Sequence, residues 1–125
     1  MQPNERTVLV VDDEPSLRLL CRVNLELEGH RVQEAATVAA ARELLATETI
    51  DVALLDVHVG SGNGIDVLDE IEALDLPVRV VMLSGTSEIS AELRARVAGV
   101  LGKPFTLTEL SAAVRAEGSD RVAGE

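Results

Sequence analysis

Short, nearly wholly apolar runs alternate along this chain with amphipathic segments, and that alternation constrains the fold more than any other feature. Thr7 to Val11 reads TVLVV and halts at Asp12, Asp13 and Glu14. Ile50 to Asp56 reads IDVALLD and again closes on an acid, while Val78 to Leu83 follows Pro77 and closes on Ser84 and Gly85. Arg31 to Glu34 and the short Val100–Leu101 complete five candidate strands. Runs that are apolar throughout, without polar alternation, belong in parallel sheets covered on both faces.

The intervening segments have helical signals. Pro15 fits the first turn of a helix that runs to about Glu28 and stops at Gly29. In it, Leu17, Leu20, Cys21 and Leu27 read as one core-facing stripe. Thr37 caps a second helix whose inner face is Val38, Ala41, Leu44 and Leu45. Ile65, Leu68 and Ile71 mark a third helix, and Ile89, Leu93 and Val97 a fourth. Thr106 with Glu109 forms a capping box for the fifth, which buries Leu107, Leu110 and Val114. The pattern is (βα)5, an α/β domain, and right-handed crossovers make it a doubly wound three-layer sandwich around a five-stranded parallel sheet. One domain spans 7–116, with an N-terminal extension at 1–6 and a frayed polar tail at 117–125.

Composition narrows the function. Apolar residues make up 46% of the 125, with one Phe and no Trp or Tyr, so the core is aliphatic and the composition argues against base-stacking modules. Lys and Arg number 11 against 22 Asp and Glu, a net charge of −11, which argues against direct nucleic-acid binding. A single cysteine, Cys21, forbids an intrachain disulfide and suits a cytoplasmic protein. No apolar run is long enough for a membrane span, and the polar Met1–Arg6 start lacks the apolar stretch of a secretory signal.

The polar residues that end the strands converge in this topology. Asp12 and Asp13 follow the first strand, Asp56 the third, Ser84 the fourth and Lys103 the fifth. Ligands of open α/β sheets bind beyond the carboxyl ends of the strands. Three carboxylates in one cleft repel each other, so either their pKa values rise or a cation sits among them. Oxygen ligands without His or Cys side chains select Mg²⁺ or a similar hard ion. An Asp in such a site can act as a nucleophile toward a phosphoryl group, with Lys103 and Ser84 stabilising the phosphoryl oxygens.

These residues resemble the receiver domain of two-component response regulators. The resemblance runs from about Val8 to Arg115 and is carried by Asp12-Asp13-Glu14-Pro15, Leu54-Leu55-Asp56, Gly64 eight residues beyond Asp56, Leu83-Ser84-Gly85 and Lys103-Pro104-Phe105. It implies the flavodoxin-like strand order 2-1-3-4-5. It further implies a phosphoacceptor at Asp56 and direct Mg²⁺ ligation by Asp13 and Asp56. Asp12 would act largely through water, and the backbone carbonyl of His58 would be another ligand. Ser84 would contact the phosphoryl group, Lys103 would pair with it, and the Lys103–Pro104 peptide would be cis. The implied partners are a histidine kinase or histidine phosphotransfer protein as donor and a downstream protein or output domain as reader. A phosphorylation-dependent dimer is a further family habit. Such a domain is a signalling switch that catalyses its own phosphorylation and dephosphorylation, and either acts alone or belongs to a longer regulator or hybrid kinase.

The sequence departs from the family in places. Val100 stands where receivers usually carry an aromatic residue, the stretch from Ser84 to Lys103 is short, and Gly60 stands where many have Pro. The His58 side chain is placed to tune water access to an acyl phosphate, while His30 reads as a solvated turn residue. Gly60, Gly62 and Gly64 resemble a phosphate loop but follow the wrong strand and lack the Lys-Ser/Thr of a nucleotide site. Two rival readings are a Mg²⁺-dependent phosphohydrolase, which lacks its Asp-x-Asp here, and an unphosphorylated interaction module. Glu43, Glu70, Glu72, Glu88 and Glu92 read as solvated helix faces.

Overall fold

β-branched and leucine runs extend, pair in parallel, and leave their side chains pointing alternately to two apolar layers. The computed structural model describes residues 5–85 and 89–116. In chain order its elements are β1 (Thr7–Val11), α1 (Pro15–Leu27), β2 (Arg31–Ala35), α2 (Val38–Thr47), β3 (Val52–Asp56), β4 (His58–Val59), β5 (Gly62–Asn63), α3 (Gly64–Ala73), β6 (Arg79–Ser84), α4 (Ala91–Arg96), β7 (Gly99–Gly102) and α5 (Leu107–Arg115). The main sheet runs β2-β1-β3-β6-β7, all parallel, which over its five strands is the expected 2-1-3-4-5. Residues 1–4, Glu88 and the tail from Glu117 lie outside the described residues. Among the described residues no helix is long and apolar enough to cross a membrane.

Alternation along each strand feeds two cores. Leu9, Val11, Ala53, Leu55, Val80 and Met82 pack toward α2, α3 and α4, meeting Ala41, Leu45, Val67, Leu68, Ile71 and Leu93. Val8, Val10, Val52, Leu54, Val81 and Leu83 pack toward α1 and α5, meeting Cys21, Leu25, Leu110 and Val114. Both faces are therefore dry along the middle of β1, β3 and β6, which is why their polar residues, Thr7, Asp56, Arg79 and Ser84, sit at the ends of the runs. The expected caps form. Thr37 accepts from the Ala40 N–H, and Thr106 and Glu109 satisfy each other's backbone.

Four local expectations need correction. Leu17, Cys21 and Leu25 face the sheet at i, i+4 spacing, but Leu20 and Leu27 point outward and are 41% and 80% exposed, and Leu107, expected to be buried, is 49% exposed at the first position of α5, which buries Leu110 and Val114. The fourth helix covers only Ala91–Arg96, because the Ser90 hydroxyl accepts from Leu93 N–H and starts it late. Ile89 and Val97 flank it, half-buried against the core. The glycine-rich loop contains a two-stranded hairpin, His58 opposite Asn63 and Val59 opposite Gly62, turned at Gly60, whose φ of +59° suits glycine and forbids proline.

The fourth correction is His30, which is buried, with 4% of its surface exposed. Its Nδ1 accepts a hydrogen bond from the Arg6 N–H at 3.1 Å, so the ring is the neutral Nε2–H tautomer. Burial lowers its pKa below the ordinary value, against a smaller opposing pull from Glu28. The unfolded chain thus binds more protons than the folded one as the pH drops below about 6.5, and stability falls with acidification there. His30→Gln should lose less stability than the wild type between neutral pH and mildly acid pH in denaturant titrations. Parallel pH profiles would show that His30 is not the group responsible.

Candidate functional site

The acid site is built where β1 and β3 lie side by side and stop together. The register pairs Val11 with Leu55, so Asp12 and Asp56 emerge at the same level of adjacent strands. Asp56 is also level with Leu83 on β6, which puts Ser84 one step further out, level with Gly102 on β7. Lys103 follows directly, and its backbone N–H donates to the Ser84 carbonyl at 2.7 Å. The structure thus gathers all five sequence-derived site residues, Asp12, Asp13, Asp56, Ser84 and Lys103, at one sheet edge. His58 follows on β4, its residue exposed and its N–H 3.4 Å from Asp56 Oδ1. The Lys103–Pro104 peptide is cis.

Lys103 Nζ donates to Asp56 Oδ2 at 2.9 Å and to Asp12 Oδ2 at 3.1 Å. The Asp12 side chain is fully buried, that of Asp56 is 14% exposed, and Asp13 lies at the surface. Burial raises the Asp12 pKa above its ordinary value. A hydrogen bond from the Glu14 N–H lowers it in part, and Asp56 alongside raises it again. For Lys103, burial acts downward, but the hydrogen bonds to Asp56 and Asp12 outweigh it and hold the ammonium above its ordinary pKa.

One carboxylate oxygen from each of Asp12, Asp13 and Asp56 lies within 4.8 Å of one from each of the others. Three carboxylates against one ammonium leave an excess of two formal negative charges. An all-oxygen donor set with that excess fits a hard divalent cation.

Two supporting features were not legible beforehand. Asn63 caps α3 by accepting from Ile65 N–H at 2.8 Å, closing the hairpin onto the helix. Gly64 lies so close to β3 that a Cβ there would stand 2.0 Å from the Asp56 carbonyl oxygen. The glycine permits α3 to start against the backbone of Asp56. A cavity of about 530 Å³ opens elsewhere, near the amino end of β6 between α3 and α4. Apolar Ile71, Leu76, Val78 and Val97 line it, with Glu72 and Arg96 also at its wall. It shares no residue with the acid site.

The comparisons agree with this geometry. The family model described as response regulator receiver domain matches residues 8–115, and the chain belongs to that family, the receivers of two-component signalling. The transcriptional regulatory protein KdpE of Mycobacterium tuberculosis is 37% identical over 112 residues, taking in 87% of this chain and 49% of that protein. The chain thus spans about half the length of that regulator. Sporulation initiation phosphotransferase F of Bacillus subtilis is 29% identical over 115 residues, covering 90% of this chain and 92% of that one. The crystal structure of the receiver domain of NtrX from Brucella abortus superposes with a TM-score of 0.78 at 28% identity, over 88% of this chain and 99% of that one.

Two outcomes follow from the geometry. Gly64→Ala must displace either α3 or Asp56, and such overpacking against backbone should cost about 1–3 kcal/mol in chemical denaturation. A substitution that proves neutral would mean the contact is readily relieved. Asp12 is raised in pKa, so folding favours its neutral form, and the wild type loses that stabilisation as pH rises through the folded-state value. Without divalent cations, Asp12→Asn should melt above the wild type at pH 7, and the gap should close on acidification. A lower-melting variant would show that the pairing with Lys103 outweighs the burial.

Proposed function

We propose that Asp56 is the phosphoacceptor of this receiver, and that the group bound among Asp12, Asp13 and Asp56 is Mg²⁺. The observation that carries the reading is the Lys103 ammonium held between Asp12 and Asp56, with Asp13 completing the carboxylate cluster. Asp13, Asp56 and the His58 carbonyl would hold the ion directly and Asp12 largely through water. The ion, when bound, supplies positive charge for the phosphoryl oxygens.

The donor is a phosphohistidine on a histidine kinase or histidine phosphotransfer protein. An Asp56 carboxylate oxygen attacks phosphorus, the P–N bond breaks, and the departing imidazole keeps the electron pair and takes up a proton. Lys103, already bonded to Asp56, pairs with the incoming phosphoryl oxygens, and the Ser84 hydroxyl donates to one of them. Water later attacks the acyl phosphate and regenerates the carboxylate, so turnover at Asp56 belongs to the domain itself.

Phosphorylation shifts the domain between two states, one of which a downstream protein or an attached output domain binds. Val100 is half-buried and aliphatic, so transmission runs through the Ser84–Lys103 backbone link between β6 and β7 rather than through an aromatic rotamer. The receiver unit is 7–116, with 1–6 as extension and 117–125 as tail, and its place is the cytoplasm.

Intact-mass analysis after incubation with Mg²⁺ and a small acyl phosphate donor should show one phosphoryl adduct in the wild type and none in Asp56→Asn. Mg²⁺ should also raise the melting temperature, by an amount equivalent to about 2.7 kcal/mol at a hundredfold excess over Kd, and a chelator should reverse it. An adduct that survives Asp56→Asn overturns the assignment of the acceptor. A protein with neither adduct nor Mg²⁺ response is an unphosphorylated interaction module instead.

A further inference from the structure

Asp13 lies at the surface, yet its carboxylate joins a cluster whose other members are buried or half-buried. Something must hold the chain reversal between β1 and α1 in place. The Asp12 N–H donates to the Ala35 carbonyl at 3.1 Å, and Asp12 Oδ1 accepts from the Glu14 N–H at 2.9 Å. The Asp12 carbonyl, which belongs to the peptide leading into Asp13, accepts from Arg18 Nη1 at 2.7 Å.

Arg18 is itself braced. Its Nε donates to Glu34 Oε1 on β2 at 3.1 Å, and the side chains of Arg18 and Glu34 are 17% and 25% exposed. Arg22, one turn later on α1, uses the other Glu34 oxygen, with Nη1 to Oε2 at 2.9 Å, and also reaches Glu26. Among the described contacts, Arg22 makes none with Asp12. The planar guanidinium of Arg18 therefore links β2 to the peptide between the two adjacent acids with its bond directions fixed, a geometry that an ammonium cannot reproduce.

We propose that Arg18, braced by Glu34, is a positioning residue for cation binding, holding the Asp12–Asp13 peptide so that the Asp13 carboxylate stays within the cluster. The inference rests on the reading of that cluster as a cation site. Its sign is distinctive. By charge alone, a guanidinium beside the cluster repels a cation, and neutralising it should tighten binding. If Arg18 positions the peptide, neutralising it weakens binding, and losses of about 10–100-fold are usual when groups that orient metal ligands are removed.

Isothermal titration with Mg²⁺ alone, on the full chain, separates the two. Arg18→Met should weaken Mg²⁺ binding about tenfold or more. Arg18→Lys, which keeps the charge but replaces the fixed two-nitrogen fork with a single ammonium, should recover part of that loss. Arg22→Met, which also breaks a bond to Glu34, should bind like the wild type. Circular dichroism and melting curves identify variants that fold. If Arg18→Met does not, Arg18→Lys carries the comparison, and it should bind more weakly than the wild type. Arg18→Met binding as tightly as the wild type or more tightly, or Arg22→Met losing as much as Arg18→Met, overturns the proposal. If Arg18→Met does not fold, Arg18→Lys binding as tightly as the wild type overturns it instead. A wild type that does not bind Mg²⁺ overturns the cation reading, and the positioning role with it.

Discussion

The ammonium of Lys103 between Asp12 and Asp56 is the interaction on which the site depends. Asp12 has no exposure to water, and a buried carboxylate is tolerated only when paired and hydrogen-bonded. Its partners come from distant parts of the chain: the Glu14 N–H from the next turn, and Lys103 from beyond the edge strand β7. Within the sheet, β6 separates β7 from β3, so Lys103 reaches Asp56 and Asp12 from the far side of the β6 terminus, where Ser84 is buried. The salt bridge thus joins three of the five main strands, β1, β3 and β7, at their carboxyl ends, and the Lys103 N–H bond to the Ser84 carbonyl ties in β6. A change of charge at Asp56 is felt at once by β1, β6 and β7.

One ammonium cannot neutralise three carboxylates. Burial first, and Asp56 alongside it second, raise the pKa of Asp12, and a divalent cation or a proton relieves the excess negative charge of the cluster. Backbone contacts from neighbouring elements position the residues around it. Gly64 lets α3 abut the Asp56 backbone, and Arg18 links the Asp12 carbonyl to Glu34 on β2.

Much of this was legible in the residues, and the misses share a cause. The five strands of the main sheet, the five helices and the gathering of acids at one edge follow from periodicity and from where the apolar runs stop, whereas the β4–β5 hairpin does not. Strand order came from family resemblance, since periodicity cannot say which strands are neighbours. Leu20 and Leu27 were misplaced because a helix apolar on two faces does not reveal which face turns inward. His30 sits among polar neighbours in sequence, and only the folded structure buries it, with its Nδ1 on the Arg6 N–H. The brace from Arg18 to Glu34 crosses 16 positions and two elements, and no local spacing encodes it.

The sequence by itself determined the (βα)5 framework, the aliphatic core and the chemical identities at the strand ends. Those depend on local propensity, on binary pattern and on residue type, all of which are readable along one dimension. Only the tertiary structure decided which carboxylate is buried and which exposed, which two share the ammonium, and what holds their backbone. Those depend on register between strands distant in the chain and on approaches of a few ångströms, such as Gly64 against Asp56 and Lys103 across the end of β6. Distances of that kind exist only once the sheet has formed.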